Sequence, residues 1–552
     1  MSRVHQSYAK RHSAHSHSAS KPSLEAVGLT MPNSSIGGVS SYFYRAVLVL
    51  FGLAGLVLGT PENTPDRPNL LFILTDQQRA DTLGAYGNKQ IKTPHLDALA
   101  KKAFLFEAFY VANPMCSPSR ATLLTGLYSH THGVRGNNIP LSPNVSILID
   151  MLERGDYVAG YYGKWHLGNE IFRQRVFDHF ESTEIYQKSW SPDQDHSHRS
   201  GYDRFLSERG VKSDGPYGHS RDLANRLPKE LSKPAYLAKM GVEFIERYRD
   251  RPFVLYLSFL EPHAFADHSK PPFDNVNDDL YDPADMEIPA TFFEPMDPTV
   301  SYPKREARVS LTRGEFPVAY PQTVEEYRQA KARYWGLVTL VDEMVGFVLQ
   351  RLRELGLEEN TIIVFTSEHG EMMGDHRLMS KEFSYEESIR VPMLLKVPGT
   401  SGGRRIAKPV SQVDLLPTLL ELMDQPLPFH LQGRSLAPHL LEGLEVPDRD
   451  VVVISSINGF AQSWNRNHIA QLRTLITPDG WKLTLNDVGG GELYSLREDR
   501  NERHNLFLQR DQRKRVQQLA AQIRGWQRAT GDDIVLDLNQ SWPVSRRTQS
   551  PN

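Results

Sequence analysis

Residues 69–75 read NLLFILT and are followed directly by Asp76. This run is almost wholly apolar and lacks the alternation of apolar and polar residues that a half-exposed strand shows. It therefore predicts a strand buried on both faces, which is typical of a parallel sheet covered by helices. Three later runs have the same character: residues 157–162 (YVAGYY), 253–259 (FVLYLSF) and 361–366 (TIIVFT).

Helical patterns of apolar residues lie between these runs. They cover residues 93–104, 145–154, 237–248 and 324–355. The alternation of strands and helices predicts an α/β fold, in which a large mixed, mainly parallel sheet is sandwiched by helices. We predict that this domain spans residues 69–423.

The pattern changes after residue 423, where Pro426 and Pro428 indicate a turn. Short strand-like pieces and one polar helix follow, at residues 451–454, 473–477, 481–485, 492–496 and 509–529. They predict a smaller C-terminal α+β subdomain with an antiparallel sheet, residues 424–538. We expect the tail, residues 539–552, to be disordered.

The N-terminal region differs from the rest of the chain. Residues 1–41 are rich in Ser and His and predict a disordered leader. The apolar run AVLVLFGLAGLVLG at residues 46–59 is shorter than the ~18 residues that a membrane-spanning helix needs. It fits the core of a secretory signal, so we predict a signal peptide at residues 42–60, with an N-terminal membrane anchor as the alternative. In both cases we expect an exported protein, periplasmic or secreted.

The composition excludes several classes of site. Lys and Arg total 63 against 66 Asp and Glu, a net charge of −3, so we expect no nucleic-acid partner, which a basic excess would favour. The chain has one cysteine among 552 residues. It therefore has no intrachain disulfide and no zinc or iron–sulfur site built from several thiolates.

Each of the four predicted strands runs directly into ionisable or polar side chains. Because the carboxyl ends of parallel strands meet at one edge of a sheet, these residues are expected to share a site. Carboxylates with a histidine suggest one divalent cation, Ca²⁺ in the first place, with Mg²⁺ and Mn²⁺ as alternatives. A lysine beside a metal suits an oxyanion, so the site is suited to a tetrahedral anion. In chain order the residues are Asp76 with Gln77, Lys164 with His166, Glu261 with His263, and Glu368 with His369.

The single cysteine lies in the segment NPMCSPSRATLLTG, residues 113–126. Pro118 and Ser119 are typical of a helix start, so a helix running through Leu124 would place Cys116 at its N-terminus. Backbone N–H groups and the helix dipole favour negative charge there, which suits a thiol of low pKa. A thiol nucleophile by itself, however, would need neither metal carboxylates nor surrounding lysines.

Several segments resemble the type I sulfatase family of the alkaline phosphatase superfamily. The similarity extends from about residue 69 to residue 508 in one consistent order, and it makes residues 69–423 the catalytic domain of a sulfatase. The segments that resemble family motifs are TDQQRAD (75–81), CSPSR (116–120) with Thr125-Gly126, GDYVAGYYGKWHLG (155–168), SEHGEMMGDH (367–376) with Ser380-Lys381, and ELYSL (492–496) with residues 502–506.

In this family the motif cysteine is oxidised to Cα-formylglycine. The resemblance therefore implies that Cys116 is modified in this way, and that a formylglycine-generating enzyme is a partner of the chain. The hydrated aldehyde carries two hydroxyl groups. One attacks sulfur and displaces the alcohol, and the other then loses its proton and expels sulfate.

The resemblance also implies roles for the residues that match the motifs. Arg120 stabilises the deprotonated diol, Lys164 and Lys381 bind the sulfate oxygens, and His166 is the base toward the second hydroxyl. His263, with Lys381, protonates the leaving oxygen. The metal ligands implied are Asp76, Gln77, Cys116, Glu368 and His369.

Two positions depart from the common family pattern. Glu368 stands where Asp is usual, and its extra methylene moves the carboxylate by roughly 1.5 Å unless the backbone compensates. Gln77 stands where many members have a second Asp and others have Gln. The resemblance thus implies an exported sulfatase that hydrolyses a sulfate ester on a small molecule or a glycan. The alternatives are a phosphonate monoester or phosphodiester hydrolase of the same superfamily, and a non-catalytic member that binds sulfated glycans.

Overall fold

The four apolar runs form the centre of one eight-stranded sheet in the computed structural model of the chain. The strands of all three sheets in the described residues are, in chain order, β1 (Asn69–Asp76), β2 (Phe104–Phe106), β3 (Phe109–Tyr110), β4 (Val158–Gly163), β5 (His179–Glu181), β6 (Phe253–Pro262), β7 (Thr361–Ser367), β8 (Arg390–Val391), β9 (Met393–Lys396), β10 (Arg405–Ile406), β11 (Val410–Ser411), β12 (Val451–Asn458), β13 (Ile469–Ile476), β14 (Trp481–Asn486) and β15 (Gly491–Ser495). The order across the large sheet is β10-β2-β9-β7-β1-β6-β4-β5. Strands β7, β1, β6, β4 and β5 are mutually parallel, whereas β9 is antiparallel to both of its neighbours. This confirms the predicted mixed, mainly parallel sheet.

Helices cover both faces of this sheet. The helices of the described residues are, in chain order, α1 (Pro94–Ala100), α2 (Cys116–Thr125), α3 (Ser129–His132), α4 (Leu148–Met151), α5 (Gly201–Glu208), α6 (Arg221–Ala224), α7 (Lys233–Arg247), α8 (Val324–Glu354), α9 (Glu386–Ile389), α10 (Leu415–Leu422), α11 (Ala437–Leu441) and α12 (Arg513–Thr530). Strand β1 shows why two layers are needed, since all eight of its residues are buried. Its alternate side chains enter two separate cores, Leu70 and Phe72 on one face and Leu71 and Ile73 on the other.

Local signals explain where the helices begin. Helix α8 starts with a capping box, in which the Thr323 hydroxyl accepts from the backbone of Glu326 and the Glu326 carboxylate accepts from the backbone of Thr323. Helix α7 begins four residues before the predicted start, because the Ser232 hydroxyl caps it at Ala235. The predicted helix at residues 145–154 shrinks to a single turn, α4.

The C-terminal part contains the predicted antiparallel sheet, in the order β12-β13-β14-β15. Its apolar face packs against α12, with Leu475 and Leu483 of the sheet in one core with Leu519 and Ile523 of the helix. A third sheet of three short strands, β11-β3-β8, was not predicted. A charged side chain of the C-terminal sheet, Lys482, is fully buried.

The structure describes residues 67–153, 157–170, 174, 176–184, 199–215, 218–224, 226–263, 278–295, 297–301, 304–305, 321, 323–458 and 469–538. The predictions for the leader at 1–41, the signal peptide or anchor at 42–60 and the tail at 539–552 lie outside these residues. Within the described ranges, none of the helices combines the length and the hydrophobicity that crossing a membrane requires.

Candidate active site

The carboxyl ends of the central strands are in register at one edge of the sheet. Thr75 of β1 lies opposite Ser367 of β7, and Asp76 lies opposite Pro262 of β6. On the far side of β6, Gly163 of β4 lies opposite Ser258. The residues that follow these strands therefore share one edge, as the sequence predicts.

Helix α2 carries Cys116 to this edge. Its N-cap, Met115, is extended, and the helix begins at Cys116, two residues before the proline that suggested its start. The Cys116 side chain is buried, and its Sγ lies 3.2 Å from Nε2 of His369. The expectation that Cys116 occupies a helix N-terminus is thus correct.

Four of the predicted metal ligands come together around one point. One ligand atom from each of Asp76, Cys116, Glu368 and His369 lies within 4.8 Å of the others, and all four side chains are buried. Oδ1 of Asp76 and both carboxylate oxygens of Glu368 accept no hydrogen bond from the described part of the chain. Buried carboxylate oxygens without hydrogen bonds are costly unless a cation neutralises them. This donor set fits a divalent cation, and the Glu368 carboxylate reaches the other three ligand atoms despite its extra methylene.

Two buried cations lie against the same carboxylates. The Arg120 guanidinium contacts the Glu368 carboxylate and lies 3.9 Å from Oδ2 of Asp76. It also donates to the Lys164 carbonyl and to the Ser258 hydroxyl, both at 2.7 Å. The Lys164 ammonium contacts the Asp76 carboxylate and lies 3.8 Å from Oε1 of Glu368. Two cations therefore border the group formed by Asp76, Glu368 and Cys116.

The electrostatics favour negative charge at Cys116. Burial by itself would raise the pKa of the thiol, but Lys164 and Lys381 outweigh it and hold the pKa well below its ordinary value. Burial likewise opposes the ionised Glu368, and the Arg120 charge overcomes it, so that the pKa of Glu368 falls to about 2. The site is thus suited to an anion at position 116.

Gln77, Lys381 and His263 form a second group at the same edge. The Lys381 ammonium donates to Oε1 of Gln77 at 2.7 Å and lies 2.9 Å from Nε2 of His263. Because an ammonium only donates, His263 accepts at Nε2 and is neutral. Burial and the Lys381 charge lower the pKa of His263 well below its ordinary value, which agrees with a neutral imidazole.

The structure places His166 beside the start of α2. Its carbonyl accepts from the hydroxyl of Ser117 at 2.7 Å, and its backbone N–H donates to Glu170 at 2.7 Å. Its Nε2 lies 3.4 Å from Oδ1 of Asn138. The imidazole is half-buried, whereas Lys164 and Arg120 are buried.

Left-handed backbone is concentrated at this edge. Gln77, His166 and Ser380 have φ values of 66°, 56° and 70°, which side-chain-bearing residues rarely adopt. Gly163, at φ 111°, is required where it stands, because a Cβ atom there would overlap the carbonyl oxygen of Ser258. Such conformations persist where the surrounding contacts enforce them, and they are typical of functional sites.

Two residues of the site were not singled out from the sequence. Ser258 bonds both Arg120 and the Lys164 carbonyl, at 2.7 and 2.8 Å. The only signal for it is a hydroxyl inside the apolar run FVLYLSF. Glu371 contacts Gln77, and it is one of several acidic residues in SEHGEMMGDH. The ligand role of Gln77 itself stays a prediction, since its amide oxygen faces Lys381.

Comparison with known families gives two matches that overlap. The family model named Sulfatase matches residues 68–425. A second model, described as N-sulphoglucosamine sulphohydrolase, C-terminal, matches residues 374–529. Together they span residues 68–529, which contain every strand described above and every helix except the last residue of α12.

The individual proteins that are similar to the chain include two sulfatases and a phosphonate monoester hydrolase. An ulvan-active sulfatase of Formosa agariphila is 33% identical over 402 residues, which are 71% of this chain and 69% of that protein. An N-acetylglucosamine-6-O-sulfatase of Bacteroides thetaiotaomicron is 25% identical over 539 residues, 88% of this chain and 91% of that protein. The solved phosphonate monoester hydrolase of Agrobacterium radiobacter is 25% identical, with a TM-score of 0.67 over 84% of this chain and 96% of that one.

Proposed function

The chain belongs to the sulfatase family, and we propose that it hydrolyses a sulfate ester with a formylglycine derived from Cys116 and one divalent cation. The observation that carries the proposal is the buried group of Asp76, Cys116, Glu368 and His369, in which Oδ1 of Asp76 and both carboxylate oxygens of Glu368 have no hydrogen-bond donor among the described residues. A cation bound by these residues would supply Lewis acidity toward the sulfate group, and Ca²⁺ would suit the oxygen-rich donors, with Mg²⁺ and Mn²⁺ as alternatives.

Positively charged side chains bind the substrate anion in this proposal. Lys164 and Lys381 are the two cations that most strongly favour negative charge at Cys116. A sulfate group bound beside position 116 would meet both ammonium groups. Arg120, buried against Glu368, adds a third charge and stabilises an oxyanion at position 116.

Proton transfer is assigned to two histidines. His263 is neutral at Nε2 and receives a hydrogen bond from Lys381, so the pair holds a proton that it can give to the leaving alcohol oxygen. His166, whose carbonyl binds the residue next to Cys116, is the base that takes a proton from the modified side chain. The nucleophilic oxygen comes from the hydrated formylglycine, which a formylglycine-generating enzyme would install as a partner of this chain.

Sulfated carbohydrates are the substrate class that we favour. Two of the similar proteins bear names that refer to sulfated carbohydrates, ulvan for one and N-acetylglucosamine-6-O-sulfate for the other. An exported enzyme can reach polysaccharides outside the cell, so this substrate class agrees with the signal peptide predicted at residues 42–60. Export and substrate class both belong to the proposal.

The test is sulfate release by protein purified after co-expression with a formylglycine-generating enzyme. We expect hydrolysis of an aryl sulfate and of sulfated oligosaccharides, and no hydrolysis by Cys116→Ala. A metal-loaded protein with modified Cys116 that releases no sulfate from any of these substrates would contradict the proposal.

A second candidate is a phosphonate monoester or phosphodiester hydrolase. The similarity to the phosphonate monoester hydrolase of Agrobacterium radiobacter favours it. An aryl phosphonate monoester measured beside the aryl sulfate separates the two. A strong preference for the phosphonate would reject the sulfatase assignment.

A further inference from the structure

Glu371 is a buried acidic group beside the catalytic edge, and both of its carboxylate oxygens accept hydrogen bonds. The side chain is fully buried. Oε1 accepts from the backbone N–H groups of Met373 at 3.0 Å and Ser380 at 2.5 Å. Oε2 accepts from the side-chain amide of Gln77. One carboxylate therefore joins the residue after Asp76 to the residue before Lys381.

The orientation of the Gln77 amide follows from its two partners. Lys381 is only a donor, so it requires an oxygen from Gln77, and it lies 2.7 Å from Oε1. The amide nitrogen then faces the other way and needs an acceptor. Glu371 provides that acceptor, and in the reversed orientation two donors would meet at Lys381.

Glu371 also fixes the backbone next to Lys381 by accepting hydrogen bonds from it. Met373 and Ser380, with φ values of 42° and 70°, direct their N–H groups at the same carboxylate oxygen. Two residues in left-handed conformations are thereby tied to one buried acceptor. Lys381 follows Ser380 directly, so its approach to Gln77 depends on the same bond.

We infer that Glu371 is a positioning residue, which makes Gln77 present an amide oxygen to Lys381 and to the anion site. The inference deepens the proposed function, because it concerns residues of that site. It rests on donor and acceptor identity, and therefore predicts that exchanging the two side chains preserves the contact. With Glu at 77 and Gln at 371, an amide nitrogen still meets a carboxylate, and an oxygen still faces Lys381.

The experiment is a four-protein comparison: wild type, Glu371→Gln, Gln77→Glu and the double exchange. In Glu371→Gln the new amide oxygen serves the two backbone N–H groups, so its nitrogen opposes that of Gln77. In Gln77→Glu two carboxylates meet. We expect each single change to lower kcat/KM on an aryl sulfate by about 10- to 100-fold, and the double exchange to recover to within about threefold of wild type.

A second readout does not depend on catalysis. The thermal unfolding midpoint of the metal-free protein should fall in each single variant and recover in the double exchange, whether or not the sulfatase assignment is correct. Glu358→Gln is the matched control, since Glu358 is buried at the opposite end of β7 and binds Lys102. It should leave kcat/KM unchanged.

The outcomes separate the two proposals. Recovery of the unfolding midpoint without any sulfatase activity in wild type supports the role of Glu371 and rejects the proposed function. The role of Glu371 is overturned if the double exchange loses as much kcat/KM and as much of the unfolding midpoint as the two single variants together. It is also overturned if the double exchange does not fold. A Glu371→Gln variant with wild-type kcat/KM would overturn it as well.

Discussion

Shortening Glu368 to Asp tests the position at which this chain departs most clearly from the usual family pattern. If the site were a degenerate one in which Glu displaces a needed Asp, Glu368→Asp would create or raise activity. In the structure the longer side chain already reaches the other ligands. We therefore expect the substitution to reduce activity.

The magnitude follows from the contacts of the carboxylate. Glu368 contacts the Arg120 guanidinium, and its Oε1 lies 3.1 Å from Nε2 of His369. Removing one methylene withdraws the carboxylate by roughly 1.5 Å, one C–C bond. A displacement of this size at a catalytic group costs on the order of 100-fold in rate, or about 2.7 kcal/mol in the barrier. Weakening the buried ion pair with Arg120 should also lower the free energy of unfolding by about 3 kcal/mol.

The assay is kcat on an aryl sulfate at saturating Ca²⁺, with chemical denaturation of the same samples. Glu492→Asp is the matched control, because Glu492 is equally buried and binds the buried Lys304, but lies in the C-terminal sheet. It should lose similar stability and keep kcat within about twofold. Activity in Glu368→Asp equal to or above wild type would show that the longer Glu368 side chain does not serve the metal site.

Three further predictions concern the metal and two buried ionisable side chains. Chelation should abolish hydrolysis, and readdition of Ca²⁺ at about 100 times its Kd should raise the free energy of unfolding by about 2.7 kcal/mol; an unchanged unfolding midpoint would contradict the metal site. Burial raises the pKa of Glu261 from its ordinary value of 4.5 to about 7, so the folded state keeps a proton that the unfolded chain has lost, and stability falls as pH rises across that window. Relative to wild type, the free energy of unfolding of metal-free Glu261→Gln should therefore rise by up to about 3 kcal/mol between pH 5 and pH 8. A difference between the two proteins that does not change with pH would contradict the raised pKa. Lys482 binds Glu386 at 3.0 Å and Glu502 at 2.8 Å with all three buried, so Lys482→Ala should cost about 3–5 kcal/mol in urea unfolding, and a loss below about 1 kcal/mol would show the network to be dispensable.

The fold was largely predictable because its central strands are buried on both faces. A strand such as β1 must then be apolar at every position, and that pattern is visible without knowledge of its neighbours. The short strands β3, β8 and β11, of two residues each, carry no such pattern. They depend on contacts between distant segments, which a local reading of the sequence does not contain.

The sequence was enough to predict the metal-ligating residues of the site, but not the side chains that hold them in place. Asp76 ends β1, Cys116 begins α2, and Glu368 and His369 directly follow β7. The register of the sheet therefore brings these residues together. Glu371 and Ser258 matter through the direction of their side chains. Glu371 in particular acts by way of left-handed backbone at Ser380, which sequence patterns do not reveal.

The mass of the peptide that carries Cys116 decides whether the nucleophile of this protein is a formylglycine. Trypsin should release residues 103–120, AFLFEAFYVANPMCSPSR, from the mature protein of the native host. We expect the mass of an aldehyde or its hydrate in place of the thiol, in the same preparation that hydrolyses an aryl sulfate. An unmodified thiol in fully matured protein would contradict the proposed mechanism.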